Sequence, residues 1–307
     1  MTAIDYVTVD VFTGTRFGGN PLAVVPDARG LSKDQMQRIA AEFNYSESTF
    51  VLPPETPDHT ARVRIFTRVD EIPFAGHPNV GTGYVLGQQK EVFGTVPGAS
   101  MRFEETAGSV DIALVRDNGA VVGARIDAPR PLEVGASMDP AALARCVSLP
   151  TDAIATDRHP PTLASVGLPF FMAETDSDSL ERAGPDLGAF RSAAERFGLA
   201  QLDGRFSVFL YARTGTGIER VRARMFAPMS GTWEDPATGS ASAALGAYLA
   251  QLEPEADLEA EIDIAQGVEM GRPSAISVTA RKEGGRVARV TIEGRCVTVM
   301  RGTIEVR

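Results

Sequence analysis

Along the chain, apolar and polar positions alternate in short runs, interrupted by two kinds of helical pattern. Tyr6 to Phe12, Leu22 to Val25, Thr49 to Leu52 and Ala61 to Phe66 are rich in β-branched and aromatic residues and read as strands. Leu31-Ser32 opens a stretch in which Met36, Ile39, Ala40 and Phe43 recur at helical spacing, with Ser32 placed as the N-cap. That spacing predicts an amphipathic outer helix. His77 to Gln88 and Ser240 to Leu249 are different, being apolar or small almost all round. A helix with no polar face is buried, so these two are predicted to run through the middle of their surroundings. The last segment, Val287 to Val306, alternates as strands through Val287, Val290 and Ile292, then Val297 and Val299.

The same chain says things twice, in the same order. Gly19-Asn20-Pro21 precedes one apolar run and Gly167-Leu168-Pro169 another. Ala40-Ala41-Glu42-Phe43 is matched by Ala193-Ala194-Glu195-Arg196-Phe197, and Thr49-Phe50-Val51-Leu52 by Ser207-Val208-Phe209-Leu210. Arg64-Ile65-Phe66 is matched by Arg224-Met225-Phe226. An E-x-P-x-x-G motif then occurs at Glu71, Pro73 and Gly76, and again at Glu234, Pro236 and Gly239. Each copy continues into G-x-x-L-x-Q, at Gly83, Leu86 and Gln88 and at Gly246, Leu249 and Gln251. Ordered matches of this kind imply a duplication with small insertions in the second copy. The expected fold is therefore α+β, with two pseudo-symmetric domains, each a mixed or antiparallel sheet wrapped around a central buried helix. The boundary is expected between Ile126 and Val134, where IDAPRPLEV reads as an extended connector. This gives halves of 1–127 and 128–307, with the last strands able to cross back to the first half.

Composition narrows the function. A chain of 307 residues with 43% hydrophobic and 23% charged side chains is long enough for two packed cores. Its net charge of −10 argues against nucleic acid or an anionic membrane as partner, while leaving room for a small anionic ligand bound by local donors. No run of 18 apolar residues and no basic-then-apolar leader is evident, so a cytoplasmic protein is expected. Cys146 and Cys296 are too few for a disulfide framework and lack metal-ligand spacing. His59, His77 and His159 are scattered, and neither a phosphate loop nor a G-x-G-x-x-G turn occurs, so neither a metal nor a nucleotide cofactor is expected.

Candidate chemistry clusters at the two P-x-x-G helix starts. Helix N-termini carry unpaired N–H groups and the positive end of the dipole, which suits a carboxylate. Two such ends, at Gly76-His77 and Gly239-Ser240, are expected to face one interdomain cleft. His77 at the first start, Asp235 just before Pro236, and Glu47 in Tyr45-Ser46-Glu47-Ser48-Thr49 are the candidate acid/base groups. Glu71 and Glu234, shared by both copies, read as architecture, with carboxylates bonding loop N–H groups. Trp233, the single tryptophan, reads as packing.

The blocks DVFTGTRFGGNPLAVV, NYSESTFVLPP, RIFTRVDEIPFAGHPNVGTG, EDPATGSASAALGAYL and QGVEMGRPS resemble the phenazine-biosynthesis isomerase (PhzF-like) family from residue 10 to residue 274. The resemblance implies a diaminopimelate-epimerase-like fold, a homodimer, and a cofactor-independent isomerase moving a proton between carbons of a small carboxylate. By the same resemblance Glu47 is the acid/base, His77 and Asp235 flank the substrate, and Gly76, Gly239 and Ser240 donate to its carboxylate. Sister families use a cysteine from each half. The aligned positions here are Ala75 and Thr238, which argues against a two-thiol racemase. Arg68-Val69-Asp70 and Ser242 depart from the family pattern. Two other readings stay open: an epimerase, hydratase or lyase using Glu47 with His77, and a non-catalytic binder of anionic metabolites.

Overall fold

The computed structural model describes residues 2–198 and 206–306. They form two compact units, one of residues 1–127 with 293–307 and the other of residues 128–292. The split falls inside a single strand, β18 (Arg286–Val306).

In the first unit, β1 (Thr2–Val11) pairs antiparallel with β2 (Asn20–Val25) and with the end of β18, Thr2 lying opposite Val306. Next, β2 runs parallel to β3 (Glu47–Leu52), which is antiparallel to β4 (Ala61–Thr67). A two-residue β5 (Glu71–Ile72) lies against β4. On its other side β4 runs parallel to β6 (Ser100–Glu105), followed by the antiparallel β7 (Gly108–Asp117) and β8 (Ala120–Asp127). Because β8 also pairs with β18, the strands of this unit close on themselves, leaving no open edge at that seam. Through the ring passes α2 (Gly76–Gly87), every residue of which is buried. Outside lies α1 (Lys33–Phe43), started by a reciprocal cap in which Ser32 Oγ accepts from Gln35 N–H and Gln35 Oε1 accepts from Ser32 N–H. Its Met36, Ile39 and Ala40 pack on Val25, Phe50 and Phe66. Burying side chains the size of Met36 and Ile39 stabilises by about 1.5–3 kcal/mol each.

The second unit repeats this order of pairings. It begins with β9 (Glu133–Ser137), α3 (Pro140–Cys146), β10 (Ile154–Ala155) and β11 (Thr162–Ser165). Then β12 (Pro169–Thr175) runs parallel to β13 (Val208–Arg213), which is antiparallel to β14 (Arg220–Ala227). The short β15 (Thr232–Asp235) lies against β14, and β14 runs parallel to β16 (Leu258–Gln266), itself antiparallel to β17 (Ser274–Glu283). The central helix is α6 (Gly239–Leu252), with Gly239 and Ala241 to Ala250 buried.

Both central helices need glycine where strands press on them. A Cβ on Gly83 would sit 2.6 Å from Ile112 Cγ2 in β7, and one on the repeat-equivalent Gly246 would sit 2.6 Å from Val278 Cγ1 in β17. Neither contact is tolerable without displacement.

The α+β, diaminopimelate-epimerase-like architecture is the expected one, with one difference in the second unit. Three helices, α3, α4 (Ser177–Arg182) and α5 (Leu187–Phe197), rather than one, cover the outer face of its sheet. Each starts at an aspartate whose side chain accepts a backbone N–H: Asp139, Asp176 and Asp186. Trp233 does not pack as expected, being 57% exposed on β15, where alternation turns it outward from the strand.

Candidate active site

Glu47 is the first residue of β3, flanked by Leu22 of β2 on one side and Thr67 of β4 on the other, so its backbone is held from both edges. The turn that delivers it is tied by Ser46 Oγ, which donates to Asn20 Oδ1 at 3.2 Å. Asn20 in turn follows a loop with Phe12, Phe17 and Gly19 all in the left-handed region. At Gly19 a Cβ would lie 2.2 Å from the carbonyl oxygen of Val11, so only glycine fits. Asp10 fixes the same loop, its Oδ2 accepting from Phe17 N–H at 2.6 Å.

His77 is the second residue of α2 and is buried, with its Nε2 3.5 Å from Glu47 Oε2. That separation suits an ion pair when the imidazole is protonated and is long for a hydrogen bond. A buried hydroxyl pair, Thr49 Oγ1 to Thr82 Oγ1 at 2.8 Å, fastens α2 to the strand that carries Glu47. The first unit thus brings two of the expected residues together, with Gly76 opening the helix beside them. Ala75, at the N-cap, has no side chain able to cap the first-turn N–H groups.

In the second unit Asp235 ends β15 and is 8% exposed. Its Oδ2 accepts from Thr238 Oγ1 at 2.6 Å. Gly239 and Ser240 open α6 immediately after, with Gly239 buried and Ser240 half-buried. Thr238 is the N-cap, yet its hydroxyl is engaged by Asp235 and by Gln266 rather than by the helix. Gln266, at the end of β16, accepts from Thr238 N–H at 2.9 Å and donates to the Asp235 carbonyl at 2.7 Å.

Glu71 and Glu234 are architectural, though not by bonding loop N–H groups. Each grips an arginine with both oxygens. Arg64 Nε and Nη2 reach Glu71 at 2.6 and 2.7 Å, and Arg224 Nε and Nη2 reach Glu234 at 2.8 Å each. Each guanidinium also covers the ring two residues on, 5.2 Å from the Phe66 centroid and 5.0 Å from that of Phe226. The R-x-F repeat carried this signal. A charged residue at the matching place in both copies, seven to ten residues before a repeated glutamate, is a natural partner for it.

Both cysteines are buried and unlinked, and burial pushes the Cys146 thiol up to about 12 and that of Cys296 further still. Thiolate chemistry at neutral pH has no footing at either. Among the described residues no helix is long and apolar enough to cross a membrane, and no three His, Cys, Asp or Glu side chains gather as metal ligands do.

The doubled fold with its two glycine-started central helices is shared with isomerases and other phenazine biosynthesis-like relatives. An uncharacterized isomerase of Mesorhizobium japonicum is 38% identical, the match covering 99% of each chain. Trans-2,3-dihydro-3-hydroxyanthranilate isomerase of Pseudomonas chlororaphis is 37% identical over 97% of this chain and 98% of its own. In structure, the Bacillus anthracis phenazine biosynthesis protein of the PhzF family superposes with a TM-score of 0.85 at 27% identity, over the full length of both. The chain is an isomerase. It belongs to the PhzC-PhzF family of phenazine biosynthesis-like proteins, which it matches over residues 9–302.

Proposed function

We propose that this isomerase moves a proton between two carbons of a small carboxylate bearing an acidic C–H, with Glu47 as the acid/base and no cofactor. The Glu47–His77 pair at the start of α2 is the observation that supports this most directly. One carboxylate suffices for both halves of the reaction. It removes the proton from one carbon, the released electron pair shifts the double bond, and the same carboxylic acid returns a proton at the new site. Atoms and electrons balance within the substrate. His77 and Asp235 are assigned the protons of the developing oxygen or nitrogen, and Gly76, Gly239 and Ser240 the substrate carboxylate. The uncapped first turn of α2, and an N-cap hydroxyl at α6 that is turned to other partners, support an anion at those helix starts. A dihydro-hydroxyanthranilate-like ring acid is the first substrate to try, given what the Pseudomonas relative is named for. We further propose that the enzyme works as a homodimer in the cytoplasm; its two unlinked thiols suit a reducing compartment.

The test is proton NMR in D₂O with a panel of small amino, hydroxy and cyclic carboxylates, the dihydroanthranilate among them. Exchange or isomerisation by the wild type that vanishes in Glu47→Gln is the expected result. Exchange that persists in Glu47→Gln would overturn the assignment. Carboxylates that raise the melting temperature without any exchange would instead indicate a binding protein.

A further inference from the structure

Glu105 ends β6 on the inward row it shares with Met101 and Phe103, and it is only 8% exposed. Both of its carboxyl oxygens, and Oδ1 of Asn79 on α2, are buried without a hydrogen-bond partner among the described residues. Asn79 Nδ2 donates to the carbonyl of Ala75 at 3.1 Å, one residue before Gly76 and two before His77. Burial pushes the Glu105 carboxyl up to about 8, with the Asn79 amide pulling more weakly the other way. Charges on the elements around it are otherwise engaged. On β4, Arg62 holds Glu55 and Arg64 holds Glu71. On the β6–β7 hairpin, Arg102 holds Asp111 and Glu104 accepts from Glu55 N–H, while Asp117 faces Arg295. The titratable residues of α2 are His77, beside Glu47, and Tyr84, near Thr298.

The repeat says what this position does. Ala61 lies opposite Phe103 on the parallel pair β4–β6, as Val221 lies opposite Ile264 on β14–β16. Matching Arg64 with Arg224 therefore matches Glu105 with Gln266. Gln266 is the uncharged side chain that holds the start of α6, through Thr238 N–H, Thr238 Oγ1 and the Asp235 carbonyl.

We infer that Glu105 is a positioning residue for the start of α2, acting as an uncharged carboxylic acid where the second unit uses Gln266. Its O–H donates to Asn79 Oδ1, Asn79 Nδ2 holds the Ala75 carbonyl, and the turn that presents Gly76 and His77 is fixed. This satisfies buried polar atoms that would otherwise each cost about 1–3 kcal/mol. It also keeps a fixed anion away from the first turn, whose N–H groups are then left for the substrate carboxylate. The inference rests on the role proposed for that turn.

Its test reads the turn directly. With three histidines in the chain, the ring signals are assigned by His59→Gln and His159→Gln variants. In the wild type, the His77 signal is expected to show a step with a midpoint near pH 8. In Glu105→Gln that step is absent and the signal keeps its wild-type position at lower pH, whereas Glu105→Ala displaces it at every pH. The melting temperature of the wild type is expected to fall relative to Glu105→Gln between pH 6 and 9. A Glu105→Gln protein whose His77 signal and melting temperature track the wild type across that range overturns the inference, as does one displaced as far as Glu105→Ala. If Glu105→Ala fails to fold, Glu105→Gln alone decides. Once a substrate is found, its KM should rise at least threefold between pH 7 and 9 in the wild type and stay flat in Glu105→Gln. Absence of turnover on every carboxylate would sink the proposed function while leaving the NMR result to decide Glu105.

Discussion

Arg64 closes on both carboxylate oxygens of Glu71, and the two residues thereby clamp β4 to the loop that leads into α2. The same clamp recurs in the second unit, where Arg224 is more deeply buried and also donates to the carbonyls of Leu180, Glu181 and Ala183. Arg224→Ala is expected to cost about 3–5 kcal/mol, because it strands a largely buried carboxylate and three helix-end acceptors. Arg64→Ala should cost less, since Glu71 keeps Lys33 at 3.0 Å. Urea unfolding of the two variants checks the ranking.

Glu47→Gln should lower proton exchange by at least about 100-fold, the lower end of what a positioned acid/base contributes. Its fold should be unchanged, because glutamine keeps the side chain's shape and β3 stays paired with β2 and β4. His77→Gln is expected to retain more activity than Glu47→Gln. Single-turnover exchange rates in D₂O for the two variants decide the order.

His159 gives the second unit a pH dependence of its own. It is 4% exposed, its Nε2 lies 2.7 Å from the Tyr211 hydroxyl, and that hydroxyl donates to Glu174, which Arg213 also holds. Burial pulls the His159 pKa below its ordinary 6.5. Between that lowered value and 6.5 the unfolded chain binds the extra proton, so stability rises with pH through this window and is lost as pH falls below it. Denaturant midpoints at pH 7.5 and 5 should differ more for the wild type than for His159→Gln.

Gly83→Ala and Gly246→Ala set helix propensity against packing. Alanine would favour the helix by about 1 kcal/mol. Overpacking against Ile112 or Val278, 2.6 Å from the new Cβ, should cost about 1–3 kcal/mol. Net destabilisation is therefore expected for both variants, measured as a fall in Tm.

Alkylation gives a quick check on the absence of thiol chemistry. Iodoacetamide at pH 8 should leave turnover unchanged and react with Cys146 and Cys296 only on unfolding, given their burial. Loss of activity in step with labelling of either cysteine would count against Glu47 as the acid/base.

The repeat was legible because it is written in residues with steric or electrostatic duties: glycine against a strand, proline before a helix, arginine facing glutamate. Both central helices could be recognised for the same reason, since a segment with no polar face has nowhere to go but inward. The extra outer helices of the second unit were harder to see. Asp139-Pro140 is a cap followed by a first-turn proline, but α3 is seven residues long, too short for a clear period. Glu105 carries little local signal, although alternation in Met101, Phe103 and Glu105 puts a carboxylate on the inward face. A single inward charge reads as an exception until its counterpart, Gln266, is known to be hydrogen-bonded inside. The partnership of Glu47 with His77 depends on β3 and α2 meeting across thirty residues of chain, which no local pattern encodes.

The seam between β1 and β18 has a consequence for how the protein is made. Residues 2–11 leave the ribosome nearly three hundred residues before their partners 296–306. The second unit has all its internal pairings through β17 before then. The first unit is therefore the last whose ring can close. Until then β1 and β8 each expose a strand edge, and a stop codon or proteolytic cut at residue 293 would injure the first unit rather than the one it adjoins in sequence.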